Sequence, residues 1–182
     1  MSSRAHAPAA RVRRKARAIK LLILDVDGVL TDGGIVIGPN GDEIKRFDAR
    51  DGQGMKLLQE AGIAVALVTG RFSRAVSRRA RELGVRLVYQ RVRNKVAAYE
   101  KLKAKINCAD DQVAFAGDDI ADLALLGKVG LAITVRDGWE ELKSRVDYVT
   151  AHKGGRGAVR EIAELLLEAQ GKWKEVVAKM GG

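Results

Sequence analysis

Residues 20–33 read KLLILDVDGVLTDG, an apolar run of strand character that breaks off into Asp25, Asp27 and Asp32, with Gly28 and Gly33 among them. Side chains two apart on a strand share a face, so Asp25 and Asp27 are expected to point the same way. Carboxylates held that close repel each other unless a proton or a cation stands between them. The strand therefore ends in an acidic tip suited to a cation.

Outward from this stretch, five further runs have strand character: AVALVTG, VRLVYQ, QVAFAGD, GLAITV and DYVT. Between the runs lie segments of helical period: GQGMKLLQEAG, SRAVSRRARELG, NKVAAYEKLKAKI, IADLALLGKVG, GWEELKSRV and AVREIAELLLEAQGKWKEVVAKM. Several close on Gly, which helix C-termini favour. This alternation predicts right-handed βαβ units and an α/β fold, a doubly wound parallel sheet with helices on both faces. One interval breaks the rhythm. In GGIVIGPNGDEIKRFDARDG, the runs IVI and EIKRF flank a Pro-Asn-Gly turn, which predicts a β-hairpin inserted after the first strand, over residues 33–47.

Open α/β sheets bind ligands at the carboxyl ends of their strands, and here those ends form a set. The first ends in Asp25 and Asp27, the second in Thr69, Gly70 and Arg71, and the fourth in Asp118 and Asp119 with Asp122 a turn later; Lys95 opens the helix after the third. Asp25, Asp27 and Asp118 are candidate ligands for a hard divalent cation. Mg²⁺ takes one or two carboxylates, waters and substrate phosphate.

An aspartate, a metal, a hydroxyl and a lysine are the parts that phosphoryl transfer uses, because the reaction asks chiefly for positioning and charge stabilisation. Asp25 is the candidate nucleophile, forming an aspartyl-phosphate. Asp27 is the candidate general acid and then base. Thr69 and Lys95 are placed to hold the phosphoryl group, and Asp119 and Asp122 to support the metal waters or Lys95. A signalling receiver domain also joins an acidic pair, a Thr and a Lys to an aspartyl-phosphate. It carries the acidic pair on its first strand and the phosphorylated Asp on its third, whereas here the DxD comes first and the DD later.

DVDGVLTDG, VTGR, Lys95 and GDDIAD, in this order, resemble the four motifs of the haloacid dehalogenase superfamily of phosphohydrolases. FDARDGQGMKLL, VTGRFSRAVSRRARELGV and GGRGAVREIAELLLEAQGKW extend the resemblance over nearly all of residues 20–175, toward the branch acting on an eight-carbon acidic sugar phosphate of lipopolysaccharide. It implies a Rossmann-like domain over residues 19–182 with only the hairpin for a cap, Mg²⁺ dependence, a homotetramer, and an acidic sugar phosphate as substrate. Branches acting on nine-carbon sugar phosphates of sialic-acid type, and a subunit of phenylphosphate carboxylase, share most of these motifs. The chain departs from the branch at Val135, Arg136, Asp137 and Gly138, where Ala-Asp-Ala is usual. Arg50, Gly70, Arg71 and Arg156 are the expected substrate-binding residues. Arg156 lies in HKGGRGAV, whose glycines permit an extended reach and whose guanidinium offers a fork of donors to a carboxylate, and it is expected to come from an adjacent subunit.

Composition narrows the classes further. Of a net charge of +10, residues 1–20 carry seven Lys/Arg and no acid, leaving +3 for the other 162 residues. So modest a surplus, with few aromatics for stacking, argues against nucleic acid as partner. Residues 1–18 read as a disordered, solvated basic tail, and their Arg, Ala and Ser content overlaps with that of transit peptides. No run reaches the roughly 18 apolar residues of a membrane span. Cys108 is the single cysteine, so no internal disulfide forms, and a reducing cytoplasmic setting is expected.

Overall fold

The computed structural model describes residues 8–181. Its frame is set by LLIL, which forms β1 (Leu21–Leu24), with every residue fully buried. A strand buried on both faces reads as a continuous apolar run. Three more have this character, β4 (Ala64–Val68), β6 (Val113–Gly117) and β7 (Leu131–Thr134). With β5 (Leu87–Tyr89) and β8 (Tyr148–Val149) they form one parallel sheet in the order β5-β4-β1-β6-β7-β8. All six expected strands are present. The hairpin is a separate two-stranded ribbon, β2 (Val36–Ile37) against β3 (Glu43–Ile44).

Along β1 the side chains alternate between two cores. Leu22 and Leu24 face one built with α1 (Ala10–Ala18), α2 (Ala49–Glu60), α3 (Arg74–Glu82), α7 (Ala158–Ala169) and α8 (Trp173–Gly181). Leu21 and Ile23 face the other, built with α4 (Lys95–Ile106), α5 (Leu123–Leu126) and α6 (Glu140–Lys143). β1 pairs with β4 on one side and β6 on the other, Leu24 standing level with Leu67 and with Ala116. The chain winds outward in opposite directions from β1 and β6, so their carboxyl ends flank the switch-point crevice.

Two expectations are corrected. The basic tail expected over residues 1–18 is a helix from Ala10 to Ala18, and residues 1–7 lie outside the described part. Its charge masks an apolar stripe at i, i+4 and i+7: Val12, Ala16 and Ile19 are buried against α7 and the sheet. Lys15 pairs with Asp147 at 2.6 Å, which ties the polar side down as well. The long C-terminal helix is two, since Gly171 at φ +69° ends α7 and the chain restarts as α8.

Ala16→Asp places an unpaired charge in this core and is expected to cost about 3 kcal/mol or more, measured by urea unfolding. A change below about 0.5 kcal/mol would return residues 10–18 to the status of a tail.

Candidate active site

The site begins where β1 stops being extended. Asp25 still follows the strand, its N–H donating to the Ala116 carbonyl at 3.0 Å. The chain then turns tightly, with the N–H groups of Leu30 and Thr31 both donating to the Val26 carbonyl. Asp27 therefore lies on the turn, beyond the end of the strand. Asp25 faces α4, and its carboxylate meets Lys95 Nζ at 2.8 Å. Lys95, one residue beyond the Asn94 cap of α4, also reaches Asp122 at 2.6 Å. Asp122 is fully buried, and its other oxygen accepts from the N–H groups of Asp118 (2.9 Å) and Asp119 (3.3 Å). It thus shapes the loop after β6.

Carboxylate oxygens of Asp25, Asp118 and Asp122 lie within 4.8 Å of one another. The approach of Asp118 depends on Gly28 (φ +88°), where a Cβ would run into the Asp118 carboxylate. Crowding shows in the proton affinities. Burial pushes Asp25 up to about 6, against the pull of Lys95 and with the added repulsion of Asp122. Burial, then Asp25 and Asp122, pushes Asp118 up to about 7. Burial works against the Lys95 ammonium, but the two carboxylates outweigh it and raise its pKa. Asp25 and Asp118, at the ends of β1 and β6, are the candidate pair for a divalent cation, with Asp122 held beside them by Lys95 and two backbone amides. Two oxygen anions that repel each other at the floor of a cleft fit such an ion.

Asp27 stands apart from this cluster, so its side chain is not one of the grouped candidate ligands. Its carboxylate pairs with Lys45 from the hairpin, and Arg71 Nε lies 3.9 Å away. Lys45 also meets Glu43 at 2.6 Å, and Arg71 meets Glu43 at 3.5 Å. Burial disfavours the Lys45 ammonium, but bonds to Asp27 and Glu43 raise its pKa on balance. Lys45 and Glu43 were not anticipated as site residues; the only signal for them is the hairpin itself, which returns the chain to the end of β1.

Thr69, Gly70, Arg71, Lys95, Asp118 and Asp119 line one cleft with Asp25 and Asp27, about 510 Å³ in volume and within the range of small-molecule sites. Asp119 caps the following 3-10 turn through Ile120 N–H at 2.7 Å. Arg50 and Arg156 are not part of this lining. Arg50 pairs with Asp48 at 2.7 Å and donates to the Arg156 carbonyl at 3.2 Å, while the Arg156 guanidinium lies 3.9 Å from Asp32. The glycines before Arg156 serve close packing: a Cβ on Gly154 would collide with the Gly28 carbonyl, and Gly155 N–H donates to Val29 at 2.9 Å.

A parallel α/β sheet with carboxylates, a lysine and a threonine gathered at its switch point defines a hydrolase site of phosphoryl-transfer type. Residues 87–162 match the haloacid dehalogenase-like hydrolase family. The chain is 48% identical over 164 residues to 3-deoxy-D-manno-octulosonate 8-phosphate phosphatase KdsC of Escherichia coli strain B / BL21-DE3, covering 90% of this chain and 87% of the relative. Two solved structures are also similar. The Moraxella catarrhalis 3-deoxy-D-manno-octulosonate 8-phosphate phosphatase, in complex with magnesium ion, phosphate ion and a KDO molecule, superposes with a TM-score of 0.91 at 39% identity, over 94% of this chain and 99% of that one. The cobalt-bound Haemophilus influenzae phosphatase has a TM-score of 0.84 at 40% identity, over 87% and 92%. The chain belongs to the haloacid dehalogenase-like hydrolases, in the branch of the 3-deoxy-D-manno-octulosonate 8-phosphate phosphatases.

Asp25 and Asp118 bind their protons more tightly in the folded protein than in the unfolded chain. The metal-free fold therefore loses stability as pH rises from 3.8 through about 6 and about 7, and a divalent cation offsets that loss. Mg²⁺ is expected to raise the melting temperature at about pH 8 and to do little at about pH 5, where proton competition at the two carboxylates weakens its binding on the order of 1,000-fold. An equal rise at both pH values would contradict this cation pair.

Proposed function

We propose that this chain is a Mg²⁺-dependent phosphatase of 3-deoxy-D-manno-octulosonate 8-phosphate, acting through an aspartyl-phosphate in lipopolysaccharide biosynthesis. The observation that carries the reading is the Lys95 ammonium held between Asp25 and Asp122, beside Asp118. That geometry occurs in a chain 48% identical to a KdsC phosphatase over most of both lengths.

The residues divide the reaction as follows. An oxygen of Asp25 attacks phosphorus and forms the acyl-phosphate bond as the bond to the sugar oxygen breaks. Asp27, in its neutral form, gives its proton to the departing oxygen. It then takes a proton from the water that attacks the phosphorus, which releases phosphate and regenerates the Asp25 carboxylate. Lys95 and the Thr69 hydroxyl hold the phosphoryl oxygens, while Asp122 keeps Lys95 aimed at them. Asp25 and Asp118 would hold Mg²⁺, which would supply positive charge against the negative charge of the phosphate.

Arg71, half-exposed at the cleft wall, is suited to the sugar's acidic end. The hairpin leaves Ile35, Val36 and Ile37 more than half exposed, which supports a homotetramer whose neighbouring subunits cover the site and deliver Arg156. Among the described residues no helix is long and apolar enough to cross a membrane, and the proposed place of action is the cytoplasm.

A phosphate-release assay over eight-carbon and nine-carbon acidic sugar phosphates tests the reading. Preference for the eight-carbon ester is expected, with loss of activity in EDTA and recovery with Mg²⁺. Preference for the nine-carbon ester would reassign the substrate. Asp25→Asn should remain folded and fall to background, because an amide cannot serve as the anionic nucleophile. Substantial turnover by that variant would remove Asp25 from the role. Arg156→Ala is expected to raise KM for the acidic sugar phosphate about tenfold and to affect p-nitrophenyl phosphate less.

A further inference from the structure

Lys45 is an unusual lysine for its place in the fold. The ribbon that carries it is exposed, with Val36, Ile37 and Ile44 each more than half accessible, yet the Lys45 side chain is 1% exposed. A buried ammonium persists only where carboxylates compensate its lost hydration, and the two that do so are Glu43 and Asp27. The contact with Asp27 is specific to one oxygen. Lys45 Nζ engages Oδ1, whereas Oδ2 faces Arg71 Nε at 3.9 Å, beyond hydrogen-bonding distance. Glu43 holds the lysine from behind at 2.6 Å.

We propose that Lys45 is a positioning residue for Asp27: it occupies Oδ1, fixes the carboxyl's rotation, and leaves Oδ2 as the oxygen that hands the proton to the leaving group. This rests on the general-acid role proposed above for Asp27. Since Lys45 lies on the hairpin and Asp27 on the loop after β1, docking of the hairpin and alignment of the proton donor become one event. Glu43 is the second member, holding Lys45 at the correct reach.

The test uses aryl phosphates, so that it does not depend on which sugar is the natural substrate. A p-nitrophenolate departs with little help from a proton, whereas a phenolate needs more. Lys45→Met is expected to lose at least about tenfold more kcat/KM on phenyl phosphate than on p-nitrophenyl phosphate. Asp27→Asn should show the same pattern, and the double variant should be no worse than Asp27→Asn alone. Lys45→Arg should recover part of the loss. Glu43→Gln should shift in the same direction, and it keeps the test available if Lys45→Met does not fold. Equal losses on both esters, or additive losses in the double variant, would overturn the proposal and reduce Lys45 to a pin for the hairpin. If Asp27→Asn itself shows no dependence on the leaving group, the general-acid reading fails and this role falls with it. Neither outcome touches the Asp25 nucleophile or the sugar substrate.

Discussion

Lys95 lies within 2.8 Å of Asp25 and 2.6 Å of Asp122, and the site is organised around that bridge. Three carboxylates crowd the ends of two adjacent strands, where burial and mutual repulsion hold Asp25 and Asp118 above the ordinary carboxylate range. A single ammonium offsets part of that repulsion. What remains is a demand for positive charge beside Asp25 and Asp118, at the floor of a cleft large enough for a sugar phosphate. Removing one partner of such a buried set leaves the others uncompensated, so fold and chemistry depend on the same contacts.

The sheet makes this arrangement possible. Parallel register sets Leu24 level with Leu67 and Ala116, so the residues leaving β1, β4 and β6 emerge side by side. The strand ends bring together two kinds of group, the carboxylates from β1 and β6 and the hydroxyl of Thr69 from β4. Small residues close the gaps: Gly28 admits the Asp118 carboxylate, and Gly154 lets the loop before α7 rest on the Gly28 carbonyl. The buried Asp51 on α2 anchors that loop's far end by accepting from the N–H groups of Gly157 (3.2 Å) and Arg160 (2.8 Å).

Local patterns made much of this legible in advance. The six sheet strands are short apolar runs, and their acidic or hydroxylic tips sit where the topology needs them, so Asp25, Thr69, Lys95 and Asp118 could be gathered from spacing alone. What composition concealed was α1, whose mean charge outweighs the three residues Val12, Ala16 and Ile19 that bury it. What periodicity concealed was that Asp27 sits on a turn, outside the cluster of Asp25, Asp118 and Asp122, although it lines the same cleft. Lys45 was hidden for a third reason. Nothing near it in sequence marks a site residue; its burial comes from the hairpin folding back on a carboxylate eighteen positions earlier. The break at Gly171 was readable, and the continuous apolar pattern across it won instead.

The central claim is that phosphate passes through Asp25 before water receives it. The stereochemical course at phosphorus tests it most directly, with a substrate whose transferring group is made chiral by oxygen isotopes and sulfur. Two successive in-line displacements, the first by Asp25 and the second by water, are expected to give net retention. Net inversion would mean a single attack by water on the ester and would contradict the covalent role of Asp25.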